Sequence, residues 1–112
     1  MDRIDNNTEE AIRRFLVLIR ERYDVVGAIL YGSRARGTHD RESDADVAVI
    51  LNGEHQRFMT VKRDMVGIAS DLMLDTGVLI SPRPIWIDEW ENPEDYSNPE
   101  LLRNIDRDGI RL

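Results

Sequence analysis

The 112-residue sequence contains no cysteine. That removes disulfides, thiolate nucleophiles and cysteine-ligated zinc together, and it suits a reducing compartment, so a cytoplasmic protein is expected. Positive charge is also short: 15 Lys and Arg stand against 22 Asp and Glu, for a formal net charge of -7. A long nucleic acid is therefore not the expected partner, because binding a polyanion draws most of its affinity from neutralising phosphates with basic side chains. A small nucleotide that brings its own divalent cation is a different case, since a local acidic cluster then becomes an asset. Long apolar runs are missing too. Nothing approaches the roughly 18 apolar residues a membrane span needs, and Met1 to Asn7 has no signal-peptide-like apolar segment. A chain that is neither secreted nor membrane-spanning is expected. The two histidines, His39 and His55, have no cysteine and no close second histidine to share a zinc ion with.

What is present is ordinary globular material, 41% hydrophobic and 33% charged, with no repeat and no low-complexity tract. Its length fits one domain over residues 1–112. Asn7 or Thr8 is a candidate cap for a first helix, followed by Glu9 and Glu10 where the helix dipole favours acids. Ile12, Phe15, Leu16 and Ile19 then recur at helical spacing until about Tyr23. Val25 to Tyr31 reads as a buried strand ended by Gly32, with Gly27 inside it as a candidate close backbone approach. Residues 32 to 43 form a polar loop with a candidate helical turn from Ser33, and Asp44 to Leu51 is a second strand. Asn52-Gly53 is a turn signal. From about His55 to Asp75, Phe58, Val61, Met65, Ile68, Ala69 and Leu72 mark one face of the longest helix, with Gly77 as its stop. Val78 to Ser81 and Ile85 to Ile87 predict one strand interrupted by Pro82 and Pro84, or two short strands, at an edge or bend. Trp86 and Trp90, with Ile85 and Ile87, are expected to close the core against the sheet, the alternative being a partner-binding patch. Glu91 to Ser97 reads as a polar linker, and the acidic run from Asp88 to Asp95 as solvated linker. Asn98-Pro99 then caps a last helix with Leu101, Leu102 and Ile105 on one stripe, ending at Gly109.

The chemistry concentrates in residues 28–50. A strand puts residues two apart on the same face, so Asp44 and Asp46 project together. Two adjacent carboxylates repel unless a cation sits between them, and oxygen ligands of this kind suit magnesium, which takes one or two carboxylates and completes its shell with phosphate and water. At the other edge of the loop, Gly32 lets the backbone approach a ligand, while Ser33 adds a hydroxyl at amides that point toward anions. Arg34 and Arg36 either grip phosphate with their planar forks or remain solvated loop cations. The implied class is phosphoryl or nucleotidyl transfer. A P-loop does not fit, because Thr38 stands where that motif places its lysine, and a dinucleotide-binding fingerprint fails because Arg34 occupies its second glycine.

Gly32-Ser33, ten further residues, and Asp44-Ala45-Asp46, inside Tyr-Gly-Ser-Arg-Ala-Arg-Gly and Ser-Asp-Ala-Asp-Val-Ala-Val, resemble the signature of the DNA polymerase beta type nucleotidyltransferases, and in particular their minimal, single-domain members. The resemblance extends more loosely over the long helix, the Ile-Ser-Pro strand and the closing helix. It implies an α+β fold, a small mixed β-sheet with flanking helices. It also implies transfer of a nucleoside monophosphate from a magnesium-bound triphosphate, such as Mg-ATP, to a hydroxyl. Carried over by position, Gly32 and Ser33 bind triphosphate, with Arg34 and Arg36 beside them, and Asp44 and Asp46 are the catalytic carboxylates that ligate Mg2+. Minimal members of this family are commonly antitoxins paired with a helical HEPN-type ribonuclease toxin, whose tyrosine they adenylylate, so the resemblance implies that partner and that role. The alternative is a binding module of the same fold that neutralises its partner by complex formation. It arises because active relatives present a third carboxylate from a later strand, whereas the matching run here, Val78-Leu79-Ile80-Ser81, has none. Asp71, Asp75 and Asp88 are the acids nearby in sequence.

Overall fold

A computed structural model describes residues 5–32, 35 and 44–112. The first helix, α1 (Asn6–Arg20), is capped by Asp5, two positions ahead of Asn7 and three ahead of Thr8, the caps expected. The reason is Thr8 itself: it is buried, and both its amide (2.8 Å) and its hydroxyl (2.9 Å) donate to the Asp5 carboxylate. Replacing Asp5 with alanine is expected to cost about 1–2 kcal/mol, since a cap is lost and a buried hydroxyl loses its acceptor; chemical denaturation measures it.

Strand β1 (Val25–Tyr31) occupies the expected residues, and β2 (Ala45–Leu51) starts one residue after Asp44. They pair antiparallel with Tyr31 opposite Asp46, and a register shift between Val25 and Gly27 identifies Gly27 as part of a bulge. It is not a close approach: a Cβ there would meet its nearest neighbour at an ordinary 3.9 Å. Helix α2 (Phe58–Thr76) begins three residues later than His55 and ends at Gly77, whose left-handed φ of 73° suits the residue without a side chain.

Strand β3 (Ile80–Trp86) runs through both prolines without a break and pairs parallel with β2, Asp46 lying beside Ser81 and Ala48 beside Arg83. Residues of one parity in a parallel strand address one neighbour. Pro82 and Pro84 share a parity, so both missing amides fall on the same side. With strand order β3-β2-β1-β4, that side is the open edge. The acidic stretch read as a linker instead folds into a short helix α3 (Ile87–Glu91) and a 3-10 turn over Pro93–Asp95. Helix α4 (Pro99–Asp108) is capped by Asn98 as expected, and a two-residue strand β4 (Ile110–Arg111), not anticipated, pairs with Ile29 and Leu30 of β1.

Strict alternation splits the apolar side chains between the two faces of the sheet. Ala45, Val47, Val49 and Leu51 of β2 face α1 and α2, together with Phe15, Met65 and Trp86. Ala48 and Ile50 face the other way, toward Ile85, Tyr96, Leu102 and Ile105, with Trp90 partly buried against them. Both tryptophans thus close core, as expected of large aromatics. The fold is α+β, a four-stranded mixed sheet with helices on its two faces. No helix among the described residues is long and apolar enough to cross a membrane.

One pH effect follows from the packing of α1 on α2. The Tyr23 hydroxyl donates to Asp64 at 2.7 Å. Burial first, then this hydrogen bond and the Asp64 charge, push the phenol from 10.0 up to about 12. The folded state thus holds this proton more tightly than the unfolded chain. The stability it contributes is present below pH 10 and is lost between about 10 and 12. The unfolding midpoint of the wild type is expected to fall through that window, and Tyr23→Phe is expected to flatten the fall.

Candidate active site

Because β2 buries Ala45 and Val47 against the two long helices, Asp46 must leave the sheet on the opposite face, where it is half-buried. Asp44, just before the strand and of the same parity, is exposed. Both acids therefore stand at the start of β2, on one face of one end of the sheet. The end of β1 meets them there. Gly32 has φ 78°, and a Cβ built on it would lie 2.5 Å from Oδ2 of Asp46. The glycine is thus required twice, for its left-handed backbone and for the space the carboxylate occupies. Ser33, Arg34 and Arg36 lie outside the described residues. Ala35 between them is helical and buried.

The acids nearby in sequence do not join the pair. Asp75 on α2 bonds to Arg14 of α1 at 3.2 Å, and Asp71 sits on the exposed side of the same helix. Asp88 lies past the far end of β3, 2.6 Å from His55, and the hydrogen bond to that imidazole holds its carboxyl below the usual range, over the opposing effect of desolvation. His55 also stacks on Trp86, ring centres 4.8 Å apart, so it is a structural residue. The neighbour of Asp46 on β3 is Ser81. Among the described residues no group of three or more His, Cys, Asp or Glu could hold a metal ion. Two same-face carboxylates beside a glycine fit magnesium, which needs one or two and takes its remaining oxygens from phosphate and water.

Three residues of this face were not singled out in the sequence. Arg83, two positions beyond Ser81 and of the same parity, donates from Nη1 to the Tyr96 hydroxyl at 3.2 Å, and the Tyr31 hydroxyl is within reach of the same guanidinium. Burial disfavours the Arg83 charge, but the two phenol oxygens outweigh it and raise its affinity for the proton. For Tyr31, burial pushes the phenol up, Arg83 pulls it down, and Asp46 adds to the rise. The available signal was that Arg83 is the sole charged residue in Ile-Ser-Pro-Arg-Pro-Ile-Trp.

A family model described as a nucleotidyltransferase domain matches residues 12–105, a span that includes the whole of this site. The chain belongs to the nucleotidyltransferase domain family. Within it, the chain is 35% identical over 82 residues to a protein of Methanocaldococcus jannaschii named "putative protein adenylyltransferase", covering 67% of this chain and 79% of that one. Its fold is similar to that of a crystal structure named as a "putative nucleotidyltransferase" from Sulfolobus solfataricus. There the TM-score is 0.50 at 18% identity, over 96% of this chain and 86% of the other.

Proposed function

We propose that the protein transfers AMP from Mg-ATP to a hydroxyl of another protein, a tyrosine of a HEPN-type toxin, and so acts as an antitoxin in the cytoplasm. The observation that carries this reading is the close approach of Gly32 to Asp46, with Asp44 on the same face. It supports the reading because a glycine backbone suited to close approach by phosphate and a carboxylate pair suited to a metal then share one small volume. Family membership sets the reaction class, and the name of the M. jannaschii relative supports adenylyl transfer to protein. In this reading Asp44 and Asp46 hold magnesium with the triphosphate, and Gly32, Ser33, Arg34 and Arg36 hold the phosphates. The metal, when bound, polarises the phosphate under attack and neutralises charge on the leaving pyrophosphate. The bond formed joins the acceptor oxygen to the α-phosphorus, the bond broken between the α- and β-phosphates releases pyrophosphate, and the hydroxyl proton passes to solvent.

A second reading is favoured by one observation, that Ser81 and not an acid lies beside Asp46. In it the domain binds its partner and neutralises it without turnover. One experiment separates the two. The protein is incubated with labelled ATP, magnesium and a helical toxin encoded beside it, and the adduct is mapped by mass spectrometry. AMP on a toxin tyrosine, lost in the corresponding Tyr→Phe toxin, supports transfer. A stable complex with toxicity suppressed and no adduct supports the binding module and overturns the enzyme.

A further inference from the structure

Arg83 is placed oddly for a structural residue. It is half-buried, yet among the described residues no carboxylate forms an ion pair with it; its contacts are the phenol oxygens of Tyr96 and Tyr31. Most arginines whose ion pairs are described, such as Arg13, Arg14, Arg22 and Arg107, are instead more exposed and matched to acids. Withdrawing a guanidinium from water without an anion is costly, and neutral phenols return only part of that cost. A fixed cation with no acid matched to it among the described residues is poised for an anion that arrives from outside.

Its position says which one. Arg83 pairs with Ala48 on β2, and Tyr31 pairs with Asp46 from the other side. To come within reach of Tyr31 the guanidinium must therefore extend over β2, across the small Ala48, on the sheet face that carries Asp46. Tyr96, brought in by the turn after α3, holds it there. Two of its five donors suffice for two phenols, which leaves the rest of the planar fork for oxygens. On the proposed reading, which this inference rests on, a metal held by Asp44 and Asp46 carries phosphate at that spot. We propose that Arg83 is an anion-binding residue of the site that grips a phosphate oxygen of the metal-bound nucleotide. It supplies positive charge on the side where β3 offers Ser81 and no third carboxylate for another metal. Tyr31 and Tyr96 are positioning residues that aim the fork.

The test is calorimetric titration of the whole protein with Mg-ATP and, separately, with magnesium pyrophosphate, for wild type, Arg83→Met and Arg83→Lys. Methionine keeps the length and apolar stem, and a thermal melt without nucleotide checks the fold. Loss of a charged hydrogen bond predicts binding weaker by about 10- to 100-fold for Arg83→Met with both ligands, partly restored in Arg83→Lys. Should Arg83→Met prove too unstable to titrate, Tyr96→Phe serves, with a smaller loss for both ligands. Variants that bind both ligands as tightly as wild type overturn the inference and leave the nucleotidyltransferase reading standing. A wild type that binds neither ligand overturns the reading and, with it, this role for Arg83.

Discussion

Asp46→Asn is expected to reduce nucleotidyl transfer by about a thousandfold or more, because a metal ion that stabilises transition-state charge is worth several kcal/mol and each 1.4 kcal/mol is about tenfold in rate. The substitution keeps size and shape and removes only the charge, so the fold should survive. Asp46 sits between Tyr31 and Ser81 on neighbouring strands, and an amide there offers one neutral oxygen where the ion needs an anionic one. Asp44→Asn is expected to act in the same direction. With the two acids serving one ion, as proposed, the double variant should be little worse than the more damaging single. Single-turnover transfer at saturating magnesium measures the loss, and the midpoint of chemical unfolding controls for stability. If Asp46→Asn retained wild-type transfer, the metal role of this pair would be wrong.

Gly32→Ala carries the second large effect. The added Cβ would lie 2.5 Å from Oδ2 of Asp46, at a φ of 78° that side chains other than glycine rarely adopt. The backbone cost is about 1–2 kcal/mol of stability. The effect on chemistry should be larger. The carboxylate has to swing away from the added methyl or the strand end has to shift, and a misplacement of about 1 Å at a reacting centre can cost a hundredfold. A loss of transfer of about a hundredfold with only modest destabilisation is the expected pattern, and comparing it with Gly53→Ala separates the two contributions. Gly53 has a φ of 97° and no atom within 4 Å of a built Cβ, so it pays the backbone cost without touching the site. Equal activities for the two variants would show that the contact with Asp46 is immaterial.

The elements legible in the sequence were those written in local pattern. Val25 to Tyr31 was bounded by its own apolar run and by Gly32, the stop at Gly77 by a residue suited to a left-handed cap, and the last helix by Asn98-Pro99. What local pattern could not show was set by pairing at a distance. Pro82 and Pro84 read as interruptions because a single strand does not reveal which edge its amides face; only the position of β3 at the sheet edge makes both harmless. Strand β4 is two residues long and exists because Ile29 and Leu30 offer it an edge. The acidic run after Trp86 looked like linker, yet Glu89 folds back to accept from the Trp86 amide at 3.0 Å and starts a helix. For the site, Asp44, Asp46 and Gly32 were visible as a motif. Arg83 and Tyr96 were not, because they meet across 13 residues through a turn that composition did not predict.

The central claim is that Asp44 and Asp46 serve transfer of a nucleotide and not of a phosphate. The most direct measurement compares ATP labelled at the α-phosphate with ATP labelled at the γ-phosphate, each incubated with the protein, magnesium and the proposed toxin acceptor. The account predicts that α-label enters the acceptor, that γ-label leaves as pyrophosphate, and that both events vanish in Asp46→Asn. Label entering the acceptor from the γ-position, or α-label entering it equally with Asp46→Asn, would contradict it.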